Sequence, residues 1–330
     1  MKIVRRLRSI AVLLSLGLVT SIPLASAGPF EAELGSDAAK VAGDVKIHMM
    51  NGDNDGLESG KGLVPYLKAL GAPPKRVAMV SFYIWDSGNK KEKSYRFYNS
   101  EYTLQMDNTY RLAVDASELD KLATELHAAA IGPLKEEFAA VGMQLLTPAE
   151  FVDTPEKQQA FEATKVEVGG MGSLMGFLQK GAATEWQWGT PEGYRLIKMT
   201  TAGDARGNNY SLALQGMGVG TLANTAGHDL AKALGVDAVV IMYNVVQAES
   251  TSIRLRGSYM YMFGPNPVAN SGQSMYYPGQ QYSGAYLRTD VDFIKTDKEG
   301  KALETDYAGF GIVAHALGMR MAQHIKKKTG

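Results

Sequence analysis

Apolar residues along the chain recur every second position in some stretches and every third or fourth in others. Arg76 to Trp85 (RVAMVSFYIW) is β-branched and aromatic, which predicts a buried strand. Ser87-Gly88-Asn89-Lys90-Lys91 reads as a turn behind it, Tyr95 to Tyr98 as a partner strand, and Tyr102 to Val114 as holding another. Ser117-Glu118-Leu119-Asp120 resembles a capping box with Asp in place of Glu. Behind it Leu119, Leu122, Leu126, Ala130, Leu134, Phe138 and Val141 fall at helical spacing. This predicts a long amphipathic helix, kinked or split at Gly132-Pro133. Gln144-Leu145-Leu146 reads as a short strand, and Thr147-Pro148-Ala149-Glu150 opens another helix with Pro at its first position.

The second half repeats these themes. Tyr194 to Thr200 and Ser211 to Gln215 are strand candidates joined by a polar turn. Thr221 to Leu234 carries Leu222, Ala226, Leu230 and Leu234 on one helical face, and Gly235 stands where a left-handed cap belongs. Val236 to Val246 predicts a central strand, and the alternation of Ser252 to Phe263 predicts a strand with one solvated face. Gly264 to Gly284 reads as a long polar loop, Ala285 to Lys295 as a strand, and Asp306 to Lys326 as a final helix rich in small residues. Towards the front, residues 28–45 read as a weakly patterned arm, and Leu63 to Leu70 as a short helix stopped by Gly71-Ala72-Pro73-Pro74. The element order predicts an α/β fold, a mixed β-sheet packed by several helices.

The first residues change this picture. Lys2, Arg5, Arg6 and Arg8 precede an apolar stretch from Ile10 to Leu24, which ends in Ala25-Ser26-Ala27. A basic start, a short apolar core and small residues at the cut predict a Sec-type signal peptide, residues 1–27, cleaved after Ala27. The expected location is therefore periplasmic or secreted. Residues 28–330 then read as a single α/β domain, with a Gly/Met/Trp-rich segment at 160–215 that the pattern does not place. Without the leader, 30 basic residues face 34 acidic ones. No basic patch suggests nucleic acid, and no later run of apolar residues is long enough to span a membrane. The absence of Cys excludes a disulfide framework, a thiolate metal site, a Cys nucleophile and a lipid-modified N-terminal Cys.

The order of elements and three of its segments resemble a group of bacterial envelope proteins. The segments are RVAMVSFYIW at 76–85, GMQLLTPAEF at 142–151 and LAKALGVDAVV at 230–240. The group comprises the α/β domains of the curli secretion lipoprotein, the N-terminal domain of the Tol-system propeller protein, and related periplasmic lipoproteins. The resemblance spans residues 76–263 and the last helix. It implies a protein that binds partners or assembles in the envelope without a catalytic site. It carries over no individual functional residues, and it departs from the lipid-anchored relatives in having no Cys.

Candidate chemistry is sparse. Gly218-Val219-Gly220-Thr221-Leu222-Ala223 fits the G-x-G-x-x-A turn that brings a pyrophosphate to a helix N-terminus, but Asn244 stands near where an acidic ribose ligand belongs. The other reading is a Gly-rich turn for tight helix–strand packing. Asn51, Asp53, Asp55 and Gly56 imitate the first half of a calcium loop, yet Gly62 takes the place of its bidentate Glu. The histidines at 48, 127, 228, 315 and 324 form no metal-binding pair at helical spacing. We expect neither metal nor cofactor and assign no catalytic residue.

Tyr276, Tyr277 and Tyr282 make the 264–284 loop aromatic. Tyr buries large area at little entropic cost while keeping a polar end. The loop reads either as a recognition surface or as a hairpin tip whose tyrosines pack on their own sheet. The expected function is non-catalytic protein–protein association or envelope assembly, with an envelope protein or a second copy as partner. The alternative is an exported hydrolase or small-ligand-binding protein using the Gly-rich turns at 169–176 and 216–220, with Gly216, Gly218 and Gly220 at the ligand.

Overall fold

The computed structural model describes residues 27–48, 66–98, 102–109, 116–164, 183–199, 222–249, 251–269, 278–297 and 302–329. Among these residues nine strands form one sheet: β1 (Lys46–Ile47), β2 (Arg76–Tyr98), β3 (Tyr102–Thr109), β4 (Gln144–Leu146), β5 (Ala183–Gly189), β6 (Ala238–Ala248), β7 (Ser252–Pro265), β8 (Gly279–Thr296) and β9 (Ala302–Thr305). Its spine runs β1-β8-β7-β6-β2-β3, with β4 and β5 also on β2 and β9 on β8. β2 is parallel to β4 and β6, and the remaining pairings are antiparallel. The mixed sheet and its helices are the α/β architecture expected from the pattern.

Helices cover both faces. On one face α1 (Pro29–Leu34), α2 (Ala38–Ala42), α3 (Tyr66–Leu70), α4 (Ala116–Ala139) and α8 (Phe310–Thr329) bury Val77, Met79, Phe82 and Ile84 of β2. On the other, α5 (Pro148–Phe151), α6 (Pro155–Ala163) and a π-helical stretch (Ala223–Leu230) running into α7 (Ala231–Leu234) bury Ala78, Val80, Tyr83 and Trp85. The face of β2 switches parity at a bulge. Met79 pairs with Val240 and Ser81 with Ile241, so Val80 is the extra residue. That one insertion lets odd positions before it and even positions after it share the α4–α8 face.

Local signals are met at several boundaries. Gly235 closes α7 with φ +66°, a conformation that favours glycine. At α5 the Glu150 carboxylate accepts from both the N–H and the hydroxyl of Thr147, each at 2.8 Å.

Other expectations are corrected. β2 does not turn at Ser87–Lys91. Asp86 pairs with Gln187 and Lys90 with Trp186, so the Ser-Gly-Asn triplet is absorbed as a bulge within the strand. α4 is one helix from Ala116 to Ala139, passing through Pro133. Proline's ring clashes with the Cβ of the residue before it in helical backbone, and Gly132 has none. The arm at 28–45 is folded: Phe30 is fully buried beside Phe293 and Phe310, with ring centroids 5.7 and 6.1 Å away. Residues 194–199 form no strand, although Ile197 N–H donates to Ser81 Oγ at 3.1 Å and Met199 N–H to Tyr83 Oη at 2.9 Å. The polar loop is shorter than expected, because β7 runs to Pro265 and β8 already begins at Gly279.

Candidate association surface and aromatic cleft

The 23 residues of β2 outrun the main sheet. Ile84–Asp86 pair with β6 and with β5, which therefore lie on opposite edges of β2. Lys91–Lys93 pair with β3 and with β5, again on opposite edges. β3 thus takes up the side of β2 that β6 leaves, and β3–β2–β5 forms an antiparallel ribbon. β2 and β3 pair from Lys91 to Tyr98, about 25 Å of chain at the usual rise per residue, and β5 accompanies them as far as Lys93. Among the described residues no strand pairs with the outer edge of β3 or of β5. An edge strand exposes a row of N–H and C=O groups that another strand can complete. The ribbon offers two such edges, facing away from each other.

A separate cleft of about 450 Å³ lies between α4, the α5–α6 segment and residues 192–194. Pro148, Val152 and Phe161 supply apolar walls, and His127 and Tyr194 line it as well. Phe161 is held by an edge-on contact with Phe151 at 5.2 Å. His127 Nε2 and Tyr194 Oη are hydrogen-bonded at 2.6 Å, and the edge of Phe82 packs on the imidazole at 5.2 Å. Burial, with a smaller contribution from the Lys135 charge, depresses the His127 pKa to about 4. Burial and then the Glu150 charge push the Tyr194 phenol well above its ordinary value. Both groups are therefore neutral at pH 7. Partial burial works to raise the Glu150 carboxyl, but the Lys135 ammonium 2.8 Å away and the Thr147 bonds hold it below the usual range.

Tyr282 is not a surface contact. It is a fully buried β8 residue whose hydroxyl donates to Pro265 O at 2.5 Å. Its ring lies against Gly264, where any Cβ would strike it. Of the two readings of the loop, packing on its own sheet describes Tyr282. Tyr276, Tyr277, Gly216, Gly218 and Gly220, the turn at 169–176 and the Asp-rich turn at 51–56 lie outside the described residues.

All five histidines have polar partners. His48 meets Tyr261, His228 meets Asp229, His315 meets Glu137 and His324 meets Ser283, besides His127 and Tyr194. Among the described residues no three His, Asp or Glu side chains gather as a metal site. The ribbon and the cleft were both missed in the sequence. The first hid behind turn-forming residues, and the second joins segments far apart in the chain. The chain matches no family model, no curated protein and no solved structure.

Proposed function

We propose that this is an exported, non-catalytic protein that associates with further copies of itself in the cell envelope, through the edges of the β3–β2–β5 ribbon. The carrying observation is that, among the described residues, one strand supports two unpaired edges on opposite sides. The β3 edge of one copy is then free to pair with the β5 edge of the next. Such a contact uses two different surfaces, so repetition closes a ring or extends a filament. Main-chain hydrogen bonds supply the affinity, as in other strand-addition interfaces.

Export is supported by the leader, and the first described helix is compatible with its removal. α1 begins at Pro29 with Gly28 as its N-cap, so cleavage after Ala27 leaves the helix and the buried Phe30 intact. The resemblance to envelope α/β domains favours the same setting.

Native mass spectrometry of residues 28–330, purified from the periplasm, tests the reading. A defined oligomer is expected. Replacing residues 94–107 with a two-residue turn leaves the pairing of β2 with β6 untouched and is expected to give a folded monomer. A wild-type chain that is monomeric at micromolar concentration, or a shortened chain that still assembles, sinks the proposal.

A further inference from the structure

The cleft beside His127 has no part in the ribbon, and its chemistry is specific enough to name an occupant. We infer that it binds a small, uncharged aromatic ligand carrying one N–H or O–H group. The volume of about 450 Å³ falls within the range of small-molecule sites, and such sites combine apolar walls with a few converging polar groups. Here apolar walls come from Pro148, Val152 and Phe161, and the His127–Tyr194 pair lines the cleft as a polar group.

The preference for a neutral ligand follows from the charges around that pair. Imidazole and phenol share a single hydrogen bond of 2.6 Å, which leaves Tyr194 Oη able to make another. Lys135 and Glu150 are already bonded to each other at 2.8 Å, and Glu192, the charged residue in the cleft lining, is exposed and screened by solvent. An ionised ligand group at the phenol would lose its water and gain at most the solvent-screened charge of Glu192. An aromatic body suits a wall that includes the Phe161 ring, because ring contacts add to the area buried.

Titration with indole, followed by protein-observed NMR, is the test, with indole-3-acetate and tryptamine as charged relatives. Indole is expected to bind saturably, with shifts clustered at His127, Ala149 and Tyr194, and each charged relative at least about tenfold more weakly. Tyr194→Phe removes one hydrogen-bonding group and is expected to weaken indole about fivefold. Ala149→Phe fills the cleft from an exposed wall position without touching the pair, and should abolish binding while the circular dichroism is unchanged. No saturable indole binding, equal binding of the charged relatives, or unchanged binding to the Ala149→Phe protein would overturn the assignment. Oligomer size is unaffected in every case, so the cleft and the ribbon stand or fall separately.

Discussion

Tyr243 lies flat on Tyr259, ring centroids 4.7 Å apart and planes 4° from parallel. The two are directly paired across β6 and β7. The stack continues in register, Tyr83 to Tyr243 at 5.3 Å and Tyr259 to Tyr286 at 5.7 Å, so four tyrosines cross four strands. Cross-strand aromatic pairs stabilise a sheet, and a one-residue slip would move a strand's tyrosine to the opposite face. Tyr243→Ala is expected to cost about 3–4 kcal/mol in urea unfolding. Tyr259→Ala should cost less, because Tyr259 is only half-buried.

Stability should fall with mild acid. The His127 pKa in the folded protein, about 4, lies below its unfolded value of 6.5, so folding favours the neutral ring. As pH drops below 6.5 the unfolded chain takes up a proton that the folded chain refuses. The loss grows until about pH 4 and then levels off. His48, also lowered by burial, acts in the same direction. Allowing for partial exposure of His127, the loss is about 1–2 kcal/mol by pH 5. Urea midpoints at pH 7.5 and 5 measure it, and His127→Gln should shrink the difference.

Gly279 marks a close approach of helix and sheet. A Cβ there would lie 1.6 Å from Ala223 O, a backbone atom of the π-helical stretch. The Gly279 N–H also donates to Asn224 Oδ1 at 3.1 Å. Gly279→Ala should therefore destabilise by about 3 kcal/mol through forced backbone movement. Unfolding midpoints near wild type would contradict this packing.

Pro133 sits inside α4 at a cost that Gly132 partly relieves. Pro133→Ala is expected to stabilise the protein by about 1–3 kcal/mol. Gly132→Ala alone should bring none of the gain normal for an exposed helical glycine, since its new Cβ would meet the proline ring. Thermal unfolding of the two variants separates these outcomes.

What could be read from the sequence was local. The Gly235 cap, the proline-led start of α5 and the α4 apolar stripe depend on residues a few positions apart, whereas the capping box read at Ser117–Asp120 falls inside α4, which already begins at Ala116. The ribbon depended on tertiary competition: Ser87-Gly88-Asn89 favours a turn, yet β5 pairing on both sides turns it into a bulge. The start of β8 was hidden because Gly279-Gln280-Gln281 has no strand propensity of its own. Its backbone pairs with β7, the Gly279 N–H donates to Asn224 and the Gln281 side-chain amide donates to the His48 carbonyl. His127 and Tyr194 stand 67 positions apart, and no spacing rule links them.

The absence of native Cys makes the association directly measurable. Paired substitutions, one from Thr103→Cys, Gln105→Cys or Asp107→Cys in β3 and one from Thr184→Cys or Glu185→Cys in β5, place a thiol on each outer strand. Within one protomer β2 separates the two strands by roughly 9–10 Å, too far for a disulfide. Edge-to-edge association predicts that, under mild oxidation, at least one pair yields covalent trimers and larger species up to a closed ring. Each single-Cys control should stop at dimers. Failure of every pair to link beyond what the single-Cys controls give would contradict assembly through the ribbon.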